Sequence, residues 1–98
     1  LVGTHTHIPT ADHHIMNGGT AYQSDAGMTG CYDSVIGVRK EAAIGRFLKK
    51  VPNEKFNPAD GEATVCGTYI ETSDKTGHST RIETFRYGGV LAQQPLEV

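Results

Sequence analysis

The chain has no tryptophan, no excess of basic residues and no apolar run long enough to cross a membrane. A membrane-spanning helix needs roughly 20 consecutive apolar residues, so we do not expect a membrane protein. Eleven acidic residues outnumber nine lysines and arginines, which gives a formal net charge of −2. Without a positive field, a protein gains little from the phosphate backbone of nucleic acids. We therefore do not expect bulk nucleic-acid binding.

Cysteine is also scarce, with Cys31 and Cys66 as the two examples. They lie too far apart for the Cys-x-x-Cys spacing of zinc knuckles and thioredoxin-type sites, and two cysteines do not make a disulfide framework. Cys66 lies in an apolar stretch and is interpreted as a small buried hydrophobic residue. We expect both thiols to be reduced and the protein to be cytoplasmic.

The opening of the chain resembles the middle of a protein. Its 98 residues suffice for one domain at most. Leu1, Val2 and Gly3 offer neither an initiator methionine nor the basic segment of a signal peptide. This opening predicts that the first part of the protein lies before Leu1.

One main helix is predicted over about 39–50, because apolar residues recur there at helical spacing. Four residues share this stripe: Ile44, Phe47, Leu48 and Val51. Lys49 and Lys50 lie in the last turn, where cations suit the helix dipole, and Pro52 ends the helix. We interpret this helix as scaffold that is held by packing of its apolar stripe.

Three stretches are predicted to be strands from their apolar and β-branched content. They are 20–25, 63–71 and 81–87. A polar turn at 73–77 joins the last two strands into a hairpin. A single helical turn is predicted at 35–36, where Gly37 interrupts it.

The run Gly-Thr-His-Thr-His at residues 3–7 places two histidines two positions apart. On extended backbone such residues share one face, about 7 Å apart at roughly 3.3 Å per residue. That separation suits two neighbouring metal ions, or one ion with some bending, better than a catalytic dyad. Two ordinary loop histidines would give the same bare pattern. The adjacent His13 and His14 diverge on any regular element, so we expect them, like His78, to face solvent.

A second unusual stretch is Asp-Ala-Gly-Met-Thr-Gly at residues 25–30. A strand that ends in aspartate and runs into two glycines makes a loop whose backbone can approach a ligand closely. The same residue types also fit a plain turn.

Several short segments occur together and in order. They are Gly-Thr-His-Thr-His at 3–7, Thr-Ala-Asp at 10–12, Gly-Thr-Ala-Tyr at 19–22, Asp-Ala-Gly-Met-Thr-Gly at 25–30, Tyr-Asp-Ser-Val-Ile-Gly at 32–37 and Arg-Phe-Leu at 46–48. This succession closely resembles the C-terminal part of the YmdB-like branch of the calcineurin-type metallophosphoesterases. The resemblance is dense from Val2 to about Leu48 and thin through the hairpin.

The resemblance implies an α/β fold, with two packed β-sheets flanked by helices and metal ligands on the loops that leave the strands. Residues 1–98 would form the C-terminal segment of a single metallophosphoesterase domain. The implied chemistry is hydrolysis of small phosphodiesters, such as 2',3'-cyclic nucleotides, by a metal-activated hydroxide. The implied cofactors are two metal ions, usually iron or manganese.

The resemblance also assigns residues. His5 would bind one metal ion and His7 the other, and Asp25 would orient their rings from behind. Gly27 and Thr29 would belong to the loop that faces the substrate. The family's remaining ligands, and the Asn-His histidine expected as general acid, would lie before Leu1, so no catalytic residue is assigned within this chain.

A chain with two of the ligands is expected to be inactive alone. It would expose a strand edge, and such edges pair with other chains, so we expect a homo-oligomer or pairing with the missing N-terminal portion. An alternative is a stand-alone metal-binding or regulatory module in which His5, His7 and His13 or His14 chelate zinc or nickel. An inert structural domain is a third interpretation. The loops at 25–30 and 32–37 favour a phosphate-hydrolysing cleft over a simple chelating module.

Overall fold

The computed structural model describes residues 1–49 and 57–97, which contain five strands and one helix. In chain order the elements are β1 (His14–Ile15), β2 (Ala21–Tyr22), β3 (Gly30–Cys31), α1 (Lys40–Lys49), β4 (Ala63–Thr72) and β5 (Ser79–Tyr87). β1 pairs with β2, and β3, β4 and β5 form an antiparallel sheet in that order. This part of the chain is thus an α/β fragment of mostly strands with one small helix. α1 is too short and too polar to cross a membrane.

The hairpin of β4 and β5 is the longest element, and it confirms the predicted pair of strands. Val65 lies opposite Tyr87, and the pairing continues without interruption to Glu71 opposite Arg81. The second strand begins two residues before the predicted 81, because the ladder continues past a register shift to Ser79.

The register explains why the apolar alternation of the second strand is imperfect in the sequence. Ile82 pairs with Ile70 on one face of the hairpin, whereas Phe85 pairs with Gly67 on the other. A Cβ atom on Gly67 would collide with the ring of Phe85. The aromatic ring therefore covers the glycine, and each face carries its own apolar pair.

The first residues form a strand-like segment beside β2. Val2 pairs with Gln23 in a parallel bridge, and the backbone of Gln23 is bonded to both Leu1 and Gly3. The predicted strand at 20–25 is therefore two residues of regular strand extended by this bridge. β2 and the turn before it are tied to the hairpin, because the amide of Ala21 donates to the hydroxyl of Ser79 at 3.3 Å and the amide of Ser79 donates to the carbonyl of Gly19 at 2.8 Å.

The interior is small and partly polar. Eight of the described residues are buried: Ala21, Cys31, Ala42, Ala43, Gln23, Asp25, Thr64 and Thr84. Buried polar groups require hydrogen-bond partners, and Gln23 has them in the carbonyl of Thr10 (3.0 Å) and the hydroxyl of Thr68 (2.5 Å). Cys66 is half-buried rather than buried, and its sulfur lies 3.4 Å from the hydroxyl of Tyr32. Both cysteines are free thiols.

α1 confirms the predicted helix and begins one residue after the predicted start, but its buried face differs from the prediction. Ile44 is 48% exposed and Leu48 is 78% exposed, while Ala42 and Ala43 are buried. An apolar stripe is buried only where an apolar surface faces it, and the described residues give these two side chains no such cover. Val51 and Pro52, and the side chain of Phe47, lie outside what the structure describes.

The helical turn predicted at 35–36 was wrong, because the chain forms a tight hairpin there. Val35 and Val38 exchange two backbone hydrogen bonds of 2.9 Å. Between them Ile36 has a φ of 47° and Gly37 a φ of 91°. Positive φ at both central residues defines a type I′ turn. Gly37 suits this geometry, whereas a β-branched isoleucine does not.

Candidate metal centre

The type I′ turn at 35–38 fixes the ring of His7. Nδ1 of His7 lies 2.6 Å from the carbonyl oxygen of Ile36. Because a carbonyl oxygen only accepts, Nδ1 must carry the proton. In the neutral ring Nε2 then keeps its lone pair, which is the form of histidine that binds a metal through Nε2.

The backbone at this contact is strained on both sides. His7 has a φ of 70° and Ile36 a φ of 47°. A residue with a β-carbon in this region costs roughly 1–2 kcal/mol, and such residues cluster at functional sites. The hydroxyl of Ser34 holds the turn in place, because it accepts from the amide of Gly37 and donates to the carbonyl of Cys31.

Asp25 fixes the backbone that carries His5. Its carboxylate is buried (1% exposed) and accepts from the amides of His5 (2.7 Å) and Thr6 (2.5 Å). It also accepts from the hydroxyl of Thr6 at 2.9 Å and from the amide of Gly27 at 2.8 Å. These donors, led by the amides of Gly27 and His5, outweigh burial and hold the pKa of Asp25 well below its usual range. Asp25 is therefore a negatively charged residue in a fixed position beside the backbone of residues 5–6.

The two histidines of the loop are presented to solvent. His5 and His7 are both exposed. Within the part of the chain that the structure describes, the ring of His5 makes no hydrogen bond, so its nitrogens are available. Residues 1–49 and 57–97 contain no group of three His, Cys, Asp or Glu side chains placed to hold a metal ion.

Tyr32 joins the loops beneath His7, a role that the sequence analysis missed. Its hydroxyl accepts from the amide of Met28 and lies within hydrogen-bond distance of the carbonyls of Met28 (2.8 Å) and His7 (3.1 Å). Burial and the contact with Cys66 raise the pKa of this hydroxyl, so it stays protonated. The signal for Tyr32 was its place at the head of the 32–37 segment that resembles the family.

Gly27 and Thr29 have different environments in the loop between β2 and β3. Gly27 has a φ of 85°, and a Cβ atom there would lie 2.9 Å from Pro9. Glycine is therefore required for the loop to bend around Asp25. Thr29 is exposed at the surface.

Asp12 is a second organising carboxylate that the sequence analysis left unassigned. It accepts from the hydroxyl of Ser24, from the hydroxyl of Thr10 at 2.7 Å and from the amide of Ser24 at 3.1 Å. The Ser24 hydroxyl, followed by that of Thr10, lowers the pKa of Asp12 to about 2. The Thr-Ala-Asp segment at residues 10–12 therefore has a structural role.

The remaining histidines lie apart from this loop. His14 and His78 are exposed, as predicted. The same prediction for His13 was wrong: it is half-buried, its Nδ1 atom has no partner, and it lines a cavity with Thr84 of β5. The reason is that β1, which follows His13 directly, packs against β5.

An open recess lies beside His7. Its volume is about 370 Å³, and its wall includes Met28, Ile36, Val38 and Pro58. His7 therefore lines a largely apolar groove, and its ring is bonded to the carbonyl of the type I′ turn.

Comparison with known proteins gives a consistent result. The sequence profile of the YmdB-like protein family matches residues 1–85. The 2',3'-cyclic-nucleotide 2'-phosphodiesterase of Bacillus subtilis (strain 168) is 45% identical over 83 residues, which are 85% of this chain and 31% of that protein.

Two solved structures have the same fold. A hypothetical protein from Thermus thermophilus superposes with a TM-score of 0.78 at 37% identity, over 91% of this chain and 34% of that one. A phosphatase from Mycoplasma pneumoniae gives 0.82 at 35% identity, over 89% and 31%. The chain spans about a third of the length of the proteins it matches. It belongs to the YmdB-like family.

Proposed function

We propose that the protein carrying this chain is a dimetal phosphodiesterase that hydrolyses 2',3'-cyclic nucleotides. Residues 1–98 would supply the C-terminal segment of its catalytic domain, a sandwich of two sheets completed by the rest of the protein. The observation that carries the proposal is the contact between Nδ1 of His7 and the carbonyl of Ile36. That contact leaves Nε2 ready to bind a metal, in a chain whose relative in Bacillus subtilis is a cyclic-nucleotide phosphodiesterase.

In this proposal His5 and His7 each bind one of two metal ions. Their exposed rings fit that role, since imidazole nitrogen is a suitable ligand for iron. Two such ions, when bound, activate water for attack on phosphorus and neutralise the charge that develops on the phosphoryl oxygens.

The other residues of the site would position the two histidines or shape the neighbouring loop, and would not react themselves. Asp25 accepts four hydrogen bonds and is buried, so it serves as an anchor for residues 5–6 rather than as a base. Tyr32 holds the carbonyl of His7, and Ile36 holds its ring. Gly27 shapes the loop that would face the substrate, and the exposed Thr29 would line it.

The remaining ligands and the general acid would come from outside this chain. The absence of a three-ligand group in residues 1–49 and 57–97 supports this division and gives no support to a self-sufficient chelating module. We therefore infer that the chain is inactive alone. Activity would require the rest of the protein, within one polypeptide or in an assembly with further copies.

The test is made on the full-length protein with 2',3'-cyclic AMP as substrate and with metal content measured by elemental analysis. His5→Ala and His7→Ala should each lower kcat/KM at least about a hundredfold and reduce bound iron or manganese, since even groups that only orient a ligand contribute about 10–100-fold. His78→Ala, an exposed histidine in the hairpin turn, is the matched control. Turnover at the wild-type level in either loop variant would refute the ligand assignment.

A further inference from the structure

The recess beside His7 has a chemical character that the hydrolytic step does not require. Its wall is formed mainly by the apolar residues Met28, Ile36, Val38 and Pro58, and it also includes His7, Gly37 and the amide residue Asn57. No lysine, arginine, aspartate or glutamate belongs to the described residues that line it. An apolar wall disfavours a charged phosphate, because burying a charge without partners is costly. The group that fits this recess is uncharged.

Its size and composition fit a small, uncharged group that can pack on apolar side chains. A volume of about 370 Å³ falls within the range of small-molecule sites, which are lined mainly by apolar side chains. Met28 contributes a thioether, which packs well on aromatic rings. The imidazole of His7 adds a planar surface held by the carbonyl of Ile36.

The other recesses differ in these respects. One near Cys31 has a volume of about 200 Å³ and is lined by charged residues of both signs, including Asp33 and Lys40. Another, of about 310 Å³, contains Arg86 and neither histidine of the loop. The recess beside His7 is the one of these three that combines an uncharged wall with a residue assigned to the metal centre.

We propose that this recess binds the nucleobase of the substrate, an inference that rests on the proposed function. His7 would then serve both halves of the site, because it is assigned to a metal ion and also lines the recess that would receive the base. The specificity for nucleotides over smaller phosphodiesters would come from the side chains of Met28, Ile36 and Val38.

The first test measures base binding without turnover. The full-length protein is labelled with ¹³C at its methionine methyl groups, and the Met28 resonance is assigned with Met28→Leu. Adenosine, which has no phosphate, should shift the Met28 resonance in a saturable manner through its ring current. The resonance of Met16, which lies outside the recess and is 41% exposed, should not move. The shift should weaken in Val38→Thr, which places a hydroxyl in the wall at nearly constant volume.

The second test compares two substrates. Met28→Ala should raise KM about tenfold for 2',3'-cyclic AMP, a loss typical of apolar contacts in a pocket. It should leave kcat/KM within about twofold for ribose 2',3'-cyclic phosphate, which keeps the reacting group and lacks the base. Met16→Ala is the matched control and should change neither value.

The outcomes separate the two proposals. A Met28 resonance that does not respond to adenosine overturns the base site even if the nucleotide is hydrolysed. Equal losses on both substrates in Met28→Ala overturn it as well, since Met28 would then only support the fold. If the wild-type protein hydrolyses neither substrate, the proposed function fails, and the adenosine titration alone decides whether the recess binds a base.

Discussion

The carbonyl oxygen of Ile36 lies 2.6 Å from Nδ1 of His7, although the two residues are 29 positions apart in sequence. Both have positive φ, at 47° and 70°. Two energetically unfavourable backbone conformations thus meet at one hydrogen bond. Strain of this kind persists only where the surroundings determine the conformation, and here Ser34 and the Val35–Val38 backbone pair do so.

Ile36→Asn should stabilise the protein. Asn-Gly is the preferred pair at the centre of a type I′ turn, and isoleucine with positive φ costs roughly 1–2 kcal/mol. Ile36 is 49% exposed, so little buried apolar surface is lost. Urea unfolding of the full-length protein should show a gain of about 1 kcal/mol. The same substitution at Ile44, which is 48% exposed on α1, should show no gain. A lower stability for Ile36→Asn would contradict the account of strain.

Gly37→Ala should have the opposite effect. Gly37 has a φ of 91°, and a Cβ atom there would lie 2.9 Å from the sulfur of Met28. We expect a loss of about 1–2 kcal/mol of stability and reduced iron or manganese content, because the carbonyl of Ile36 moves with the turn. Gly18→Ala is the control, since a Cβ atom at Gly18 meets nothing within 4 Å. Equal effects of the two substitutions would show that the turn tolerates a side chain.

Asp12 should make stability depend on pH in the acid range. Its pKa in the folded protein is about 2, below the ordinary value of 3.8. A lowered folded pKa means that the unfolded chain binds the proton more tightly, so stability is present above pH 4 and is lost as pH falls towards 2. Asp12→Asn should be less stable than wild type above pH 4, and the difference should shrink below it.

An NMR titration of the Asp12 carboxyl carbon provides the direct measurement. A midpoint near 4 would mean that the bonds from Ser24 and Thr10 do not favour the charged form. Asp74→Asn removes the same charge from the exposed hairpin turn and serves as the control.

Local sequence patterns predicted the elements that depend on local forces. The β4–β5 hairpin has two long strands around a polar turn, and α1 has apolar residues at helical spacing, so the hairpin and the start of the helix were found close to their observed positions. The turn at Ile36 was missed because an isoleucine there contradicts its intrinsic preference. That conformation is stabilised by the contacts with Ser34 and His7 and by the Val35–Val38 backbone pair, none of which is visible as a periodic pattern.

The sequence predicted which residues belong to the candidate site, but not how they contact one another. The spacing of His5 and His7 and the position of Asp25 at a strand end indicated that they matter. The sequence assigned Asp25 to the histidine rings, whereas its carboxylate bonds the backbone beneath them. Tyr32 was left without a role because its contacts join three segments that come together only in the folded chain.

Asp25→Asn should weaken metal binding without any change in the ligands themselves. The carboxylate accepts from the amides of His5, Thr6 and Gly27. An asparagine side chain has one acceptor oxygen, and its NH₂ group would face an amide donor. The segment that carries His5 and His7 should then lose its fixed conformation. Groups that orient metal ligands typically contribute about 10–100-fold in affinity, and we expect a loss of that order for Mn²⁺, measured by isothermal titration calorimetry on the metal-free full-length protein.

Asp74→Asn removes the same charge from an exposed turn and serves as the control. A metal affinity for Asp25→Asn equal to that of Asp74→Asn would mean that the bonds to His5 and Thr6 do not position the ligands. A loss of folding, seen as absent near-ultraviolet circular dichroism, would assign Asp25 to the fold itself. Only the selective loss of metal affinity in a folded protein fits a carboxylate that acts on the metal centre through the backbone of residues 5–6, because the buried anion touches that backbone and not the rings.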